Sequence, residues 1–435
     1  MIAAQRPKKG GLFVGNKFNP FRPDKMMPPG SFCGRMDELK FVDHCLLQTK
    51  NGNPQHFLIE GERGIGKSSL LLCEQWVAEG LIPTFISREK LDFVVISVSL
   101  LEDDTYLSII RKIMSRFKVE IAKRHAFTTF ASATWDLLTR FEAGGIRYNR
   151  DGDNPEESEL LTCLQADFVK AASSLAGVAD GILILIDEAD KPPSGGHLGL
   201  ICKMLTEELS RRNCERVCIG VAGLPQILTI LRDSHESSLR IFKTMELKPL
   251  EDHERISVLD MGMEEAVKIN GFEISITPTA KAIIASLSEG YPHFLQEFAY
   301  CAFEEDTDNS IDDKDVLNSL FREHGAFDQL GRKYFAQYYE APSSDDYRIV
   351  LDIMADHNNE WIGRADLIKE SKLKAGTVDN ALRALKNKNI IFQHESKQGQ
   401  YRLPTTSFAV WIKAKKRAET ASKDRTARDL FEGQG

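Results

Sequence analysis

The segment GERGIGKS at residues 61–68 constrains the fold of this chain more than any other stretch. It matches the phosphate-loop pattern G-x-x-x-x-G-K-[ST], and it lies between an apolar strand pattern at 56–61 and an amphipathic helix pattern at 67–79. In such a loop the glycines let backbone N–H groups turn toward phosphate oxygens, and the following helix presents its positive end to them. The loop therefore predicts an α/β domain that binds a nucleoside triphosphate.

Two side chains of this loop carry most of its chemistry. We predict that Lys67 contacts the β- and γ-phosphates and that Ser68 supplies a hydroxyl ligand to magnesium. The predicted cofactors are therefore ATP and Mg²⁺. The predicted nucleotide-binding residues of the loop are Gly61, Glu62, Arg63, Gly64, Ile65, Gly66, Lys67, Ser68 and Ser69.

Around and after this loop, strand-length apolar runs alternate with amphipathic helical patterns, which is typical of a parallel β-sheet covered by helices. The predicted strands are residues 56–61, 93–100, 181–187, 216–223 and 244–250. The predicted helices of this region are residues 67–79, 104–117, 197–211 and 224–233. The fold class is accordingly α/β, with the parallel sheet of a P-loop NTPase.

The apolar run ILILI at residues 182–186 is followed by Asp187 and Glu188. We predict that Asp187 holds Mg²⁺ through water, and that Glu188 orients and deprotonates the water that attacks the γ-phosphate. A small-molecule kinase needs no glutamate there, because its substrate supplies the nucleophile, so the adjacent pair favours hydrolysis over transfer. Asp190 and Lys191 are expected to be surface residues.

Three segments together resemble the AAA+ superfamily: PPGSFCGRMDELKFV at residues 28–42, the phosphate loop, and LIDEAD at residues 185–190. The resemblance is to the branch with the origin-recognition-like initiators, the STAND switches and the prokaryotic F-x-GR-x-x-E-L ATPases. It extends over roughly residues 18 to 410. It implies an ATPase with a helical lid and a C-terminal winged helix.

The resemblance also implies further site residues. An arginine of one subunit would act on the γ-phosphate bound by its neighbour, and Arg240 occupies that position, with Arg232 as the alternative. The implied catalytic set is Glu188, Lys67 and Arg240. The implied contacts to the rest of the nucleotide are Phe32, Cys33, Gly34 and Arg35 at the adenine, and Pro292 and His293 of the lid.

Two departures from the family pattern predict slow hydrolysis, hence a switch more than a fast motor. The fourth strand ends in Val221, Ala222 and Gly223, where many relatives carry a polar sensor residue. In the lid, Pro292 and His293 stand in place of the phosphate-sensing arginine of the initiators.

Composition shifts divide the chain into successive regions. We predict an extended N-terminal arm at 1–30, an AAA+ core at 31–250 with a helical insertion at about 119–175, a helical lid at 251–330, a winged-helix domain at 331–412, and a basic, disordered tail at 413–435. The predicted lid helices are residues 251–270, 278–288, 292–305 and 311–322.

The last folded region, residues 344–412, shows three helical patterns followed by two strands, the order of a winged helix-turn-helix. Its third helix and wing would contact duplex DNA, together with the basic tail. Docking to protein is the alternative for such a domain. The residues expected on the DNA side are Lys372, Lys374, Thr377, Asn380, Arg383, Lys386, Lys388, Lys397 and Gln398.

The overall composition limits the remaining choices. The formal charge of −8 argues against a surface coated for nucleic-acid binding, although a local basic excess lies at 413–428. The eight scattered cysteines form no CxxC pair and indicate buried thiols in a cytoplasmic protein. No apolar run approaches a membrane span, so no membrane partner is expected.

Two functions fit these features. The first is an ATP-hydrolysing, homo-oligomeric switch that acts on or near duplex DNA with a partner protein. The alternative is a STAND-like signalling or antiphage-defence ATPase that controls a separate effector.

Overall fold

A computed structural model describes residues 17–26, 34–123, 162, 165–166, 168–170, 179–192, 196–340, 344–357, 360–388, 390–394 and 397–416. The chain forms two units, Met26–Pro249 and a second one composed of Met1–Lys25 with Leu250–Gly435. None of the helices in the described part of the chain is both long and apolar enough to span a bilayer.

The first unit contains a five-stranded parallel sheet in the order β2-β3-β4-β1-β5. Its strands are β1 His56–Gly61, β2 Phe93–Ser99, β3 Gly181–Asp187, β4 Val217–Gly223 and β5 Phe242–Leu247. β3 and β4 are buried along almost their whole length, as expected for central strands covered on both faces. The predicted fold class is confirmed.

Helices flank this sheet, and those that follow β1 lie at nearly the predicted positions. They are α1 Met36–Lys50, α2 Lys67–Ala78, α3 Tyr106–Ala122, α4 Leu198–Arg211 and α5 Ile227–Ser234, with a 3₁₀ turn at Ser238–Ile241. The prediction for α3 was too short, because Ile121 is buried one turn beyond Phe117 and continues the same apolar face. The predicted insertion therefore begins inside α3, and most of it lies outside the described residues.

His56 joins two strands of the sheet through its side chain. It is buried, and its Nδ1 accepts a hydrogen bond from the backbone N–H of Ile219 at 3.1 Å. Burial lowers the pKa of His56 from 6.5 to about 4, because the charged imidazolium would be desolvated. The folded protein therefore holds this histidine neutral in the pH range where the unfolded chain takes up a proton.

This linkage predicts a pH-dependent stability of the first unit. The contribution of His56 is complete above pH 6.5 and is lost as the pH falls from 6.5 to about 4. It amounts to about 3 kcal/mol in all and about 2 kcal/mol between pH 7 and pH 5. Urea unfolding at these two pH values should show a smaller pH-dependent loss for His56→Gln than for the wild type. The exposed His253 provides the control variant His253→Gln, which should behave like the wild type; equal losses in all three proteins would contradict the prediction.

The second unit begins with four helices: α6 Asp252–Asn270, α7 Pro278–Ser288, α8 Pro292–Glu305 and α9 Asp313–Phe321. The prediction of 311–322 for α9 was wrong at its start. Ile311 lies in a two-residue strand that pairs with Ser275–Ile276, and the Asp312 carboxylate then accepts backbone N–H groups as the N-cap.

Residues 17–26, part of the predicted N-terminal arm, pack against these helices. Phe21 is 2% exposed, and its ring lies so close to Gly262 that a Cβ there would be 2.6 Å from it. The Asn270 side chain accepts from the Phe18 N–H at 2.7 Å and donates to the Phe18 carbonyl at 3.0 Å. The segment is thus held by both apolar burial and backbone hydrogen bonds.

A helical stretch at 326–340 leads to the winged helix. That domain contains α10 Asp345–Asp356, α11 Arg364–Ser371 and α12 Ala375–Asn387, with short strands Ile362–Gly363, Phe392–Gln393 and Gln400–Arg402 in one antiparallel sheet. The predicted order of three helices and a hairpin is confirmed. Arg364 pairs with Asp379 through two hydrogen bonds of 2.5 and 2.7 Å, which tie α11 to α12.

The chain continues past the last strand as a helix at 406–416. Residues 413–416, expected to begin a disordered tail, are therefore helical. Lys415 lies over the Trp411 and Tyr339 rings at 5.1 Å and pairs with Glu340 at 2.7 Å, which explains the order at this point. The rest of the predicted tail lies outside the described residues.

Candidate functional site

The phosphate loop turns from β1 into α2 with little room for side chains. Gly64 and Gly66 adopt φ values of 80° and 103°, which favour glycine. A Cβ at Gly61 would lie 2.9 Å from the Ile65 side chain and 3.2 Å from Leu247. The loop is therefore a tight backbone cradle, as the binding of phosphates by N–H groups requires.

The Lys67 side chain bends back toward the first residues of the phosphate loop. Its Nζ donates to the carbonyls of Gly61 at 2.7 Å and Glu62 at 3.0 Å. Burial lowers the pKa of Lys67, while the carboxylates of Asp190, Asp187 and Glu188 act in the opposite direction. The ammonium group is thus held among acceptors that phosphate oxygens could replace.

Asp187 and Glu188 stand at the C-terminal end of β3. The Asp187 Oδ1 accepts a hydrogen bond from the Glu188 N–H at 2.8 Å. Glu188 has a φ of 54°, an uncommon left-handed conformation for a residue with a Cβ. Its carboxylate is 43% exposed and lies 3.4 Å from the Lys191 ammonium. The backbone therefore turns sharply directly after Asp187.

Asp190 was expected at the surface, and this expectation was wrong. It is only 6% exposed, and its Oδ1 accepts a hydrogen bond from the Leu224 N–H at 2.8 Å. Its Oδ2 accepts from the Gln226 side chain at 3.2 Å. A charged residue after a strand normally faces solvent, and no local sequence pattern showed that the loop after β4 would fold over this one.

The residues that precede α1 lie partly outside the described region. Phe32 and Cys33 are not among the described residues, whereas Gly34 has a φ of 77° and Arg35 one of 60°. Arg35 is 5% exposed and donates to the Ile65 carbonyl of the phosphate loop at 3.1 Å and to Glu38 at 3.1 Å. This arginine therefore supports the backbone of the loop, a role that the sequence pattern did not suggest.

The two candidate finger arginines are both exposed. Arg232 lies near the end of α5, and Arg240 lies in the 3₁₀ turn directly before β5. Pro292 and His293 begin α8 in the second unit, where the His293 ring lies 4.8 Å from that of Tyr334. Contacts of these four residues with nucleotide stay predictions.

The residues at the loop fit a magnesium–nucleotide complex. Ser68 and Asp187 offer one hydroxyl and one carboxylate, which suits Mg²⁺ because this ion keeps several waters and binds phosphate oxygens. No cluster of three or more histidine, cysteine or acidic side chains that could hold a metal ion by itself occurs among the described residues. The six described cysteines are buried, as expected, and none of these six is disulfide-bonded to another.

In the winged helix, α12 separates apolar and basic faces. Val378, Ala381, Leu382 and Leu385 are buried against the domain core. The five predicted basic residues of this region are all exposed: Lys372, Lys374, Arg383, Lys386 and Lys388. Asn380 and the wing-tip residues Lys397 and Gln398 are also exposed, and Thr377 is half-buried.

These features together define the fold of AAA+ P-loop ATPases. They are the strand order of the sheet, the phosphate loop after β1, the acidic pair at the end of β3, which is not adjacent to β1, and a helical unit with a winged helix.

Solved structures agree with this assignment. A Walker-type ATPase of Pyrococcus abyssi is similar with a TM-score of 0.53 and 16% identity, over 90% of this chain and 100% of that one. The ORC2 protein of Aeropyrum pernix, in ADPNP–ADP complexes, is similar with a TM-score of 0.53 and 14% identity, over 92% of this chain and 98% of that one. The ADP form of the same protein is similar with a TM-score of 0.51 and 15% identity, over 90% of this chain and 97% of that one. No family model and no curated protein matches the sequence.

Proposed function

We propose that the chain binds ATP with Mg²⁺ at residues 61–69, hydrolyses the ATP, and uses the cycle as an oligomeric switch on or near DNA together with a partner protein. The observation that carries the ATPase part is the position of Lys67, which spans the glycine cradle and is influenced by the carboxylates of Asp190, Asp187 and Glu188 at and after the end of β3. The nucleotides named for the Aeropyrum pernix ORC2 structures, which share this fold, support the same ligand.

The proposed roles follow from these positions. Backbone N–H groups of the loop bind phosphate oxygens, and Lys67 exchanges its two carbonyl acceptors for the β- and γ-phosphates. Ser68 and Asp187 hold Mg²⁺, which neutralises phosphate charge. Glu188 accepts the proton of the attacking water. Phe32, Cys33, Gly34, Arg35, Pro292 and His293 remain proposed contacts to the rest of the nucleotide.

Slow, assembly-dependent turnover is the expected mode of action. The Glu188 carboxylate lies 3.4 Å from Lys191, an interaction that it must leave to serve as a base. The end of β4 offers Ala222 and Gly223 and no polar side chain. We propose that Arg240 of a neighbouring subunit supplies the missing charge stabilisation, with Arg232 as the alternative.

The DNA part of the proposal rests on the exposed basic face of α12 and on the wing tip. A helix that buries one apolar face and exposes basic residues on its other side and at its two ends, beside a wing, can contact phosphates on both sides of a groove. Because phosphate contacts release counterions, the interaction should weaken steeply with salt.

ATP turnover of the purified protein should rise on addition of duplex DNA at about 50 mM salt, and this stimulation should fade at about 200 mM. The variant Lys374→Gln/Arg383→Gln should need about tenfold more DNA for half-maximal stimulation, because two phosphate contacts are lost. Lys268→Gln/Lys314→Gln makes the same charge change at exposed positions of α6 and α9 and serves as the control.

The outcomes of this experiment separate the two functions. Stimulation that both double variants retain equally would exclude α12 as the DNA contact. Turnover that is indifferent to DNA at both salt concentrations, with no DNA binding, would favour the STAND-like signalling function, in which the winged helix docks protein instead.

A further inference from the structure

Asp190 links two loops at the C-terminal edge of the sheet. One loop follows β3 and carries Glu188; the other follows β4 and carries Leu224 and Gln226. The buried Asp190 carboxylate accepts one hydrogen bond from the Leu224 backbone at 2.8 Å and one from the Gln226 side chain at 3.2 Å. Both oxygens of a single carboxylate are thus directed at the β4 loop.

The two loops approach so closely that only glycine fits between them. A Cβ at Gly223 would lie 2.9 Å from the Asp190 Oδ1 and 3.2 Å from its backbone N. The Ala189 N–H also donates to the Ala222 carbonyl at 2.9 Å. Backbone and side-chain contacts therefore hold the loop after β3 against the end of β4.

Gln226 immediately precedes α5, and α5 is firmly joined to the turn that carries Arg240. The Ser238 hydroxyl donates to the Leu231 carbonyl at 2.6 Å, and the Leu200 N–H donates to the Ser234 hydroxyl at 3.1 Å. Because these contacts fix α5 to α4 and to the 3₁₀ turn, a movement of the β4 loop would be passed on to Arg240.

We propose that Asp190 is a positioning residue, which couples the loop of the general base Glu188 to α5 and, through α5, to the 3₁₀ turn that carries Arg240. This inference rests on the proposed ATPase function. In the assembled state, Glu188 and the arginine of the same subunit would take up their active positions together. Communication between successive sites of an oligomer would then pass through one buried carboxylate.

The test compares three variants. Asp190→Asn keeps the shape and the acceptor for Leu224 but removes the negative charge, and the Gln226 amide must turn over to accept from the new N–H₂ group. Gln226→Ala removes only the exposed partner and is not expected to impair folding. Asp190→Asn/Gln226→Glu reverses the direction of the hydrogen bond and restores the net charge. Turnover, affinity for a fluorescent ATP analogue and thermal unfolding are measured for each, with Lys67→Ala as the inactive reference.

We expect turnover about tenfold lower for Asp190→Asn and about threefold lower for Gln226→Ala, with analogue affinity within about threefold of the wild type. The double variant should recover to within about threefold of the wild-type rate. Wild-type turnover in Gln226→Ala, or no recovery in the double variant, would overturn the coupling. A wild type that turns over ATP no faster than Lys67→Ala would instead overturn the proposed function itself.

Discussion

Replacing Lys67 with alanine is expected to weaken ATP binding by about 100-fold or more. The side-chain charge of this lysine is directed into the glycine cradle by two hydrogen bonds, to Gly61 and Glu62. Charge-assisted contacts of an ammonium group with phosphate, in a partly desolvated site, are worth about 3 kcal/mol, which corresponds to that change in affinity. Calorimetric or fluorescence titration with an ATP analogue measures it.

Two controls make this result specific. Lys90 is an exposed lysine of the same unit, and Lys90→Ala should bind ATP as the wild type does. Thermal unfolding of Lys67→Ala, measured in parallel, shows whether the variant is folded, since the part-buried Gly61 carbonyl and the exposed Glu62 carbonyl lose a donor. Normal nucleotide affinity in a folded Lys67→Ala protein would contradict the assignment of the loop.

Glu188→Gln is expected to bind ATP and to lower turnover by about 100-fold or more. The glutamine keeps the size of the side chain and can still orient water, but it cannot accept the proton in the transition state. Because Asp187 and Ser68 are unchanged, the magnesium site stays intact and the ATP-bound assembly should accumulate. Turnover measured by phosphate release, with size-exclusion chromatography in ATP, shows both effects.

Glu102→Gln provides the matched control for this variant, because Glu102 is an exposed glutamate near the end of β2 in the same unit. It should show wild-type turnover and assembly. Unchanged turnover in Glu188→Gln would remove Glu188 as the general base. A joint loss of ATP binding and turnover would assign it to nucleotide binding instead.

Local patterns were sufficient for most of the fold. The strands β1 and β3, and the helices α7 and α8, have the predicted bounds, because each combines an uninterrupted apolar pattern with a distinct start or stop such as Pro278 or Pro292. Two of the errors occur where a pattern continues across a predicted boundary. α3 extends to Ala122, and the helix after the winged-helix sheet continues to residue 416.

The candidate site likewise contains residues that local sequence predicts and residues whose contacts depend on distant partners. The glycine spacing of residues 61–68 and the apolar run before Asp187 indicated the phosphate loop and the acidic pair, since both depend on residues close in sequence. The observed contacts of Arg35 and Asp190 could not be predicted from the sequence. Their partners, Ile65 and the pair Leu224 and Gln226, lie 30 or more positions away and meet them only when the sheet has formed.

By itself, the amino-acid sequence determined which segments become strands and helices, and it placed a lysine, a serine and an acidic pair at the C-terminal ends of two strands. Only the tertiary structure decided which charges are buried. The parallel order in which β4 lies between β1 and β3 brings the loop after β4 over Asp190. A charged side chain is stable in such a place only when distant donors satisfy it, and their arrival depends on strand order rather than on local periodicity.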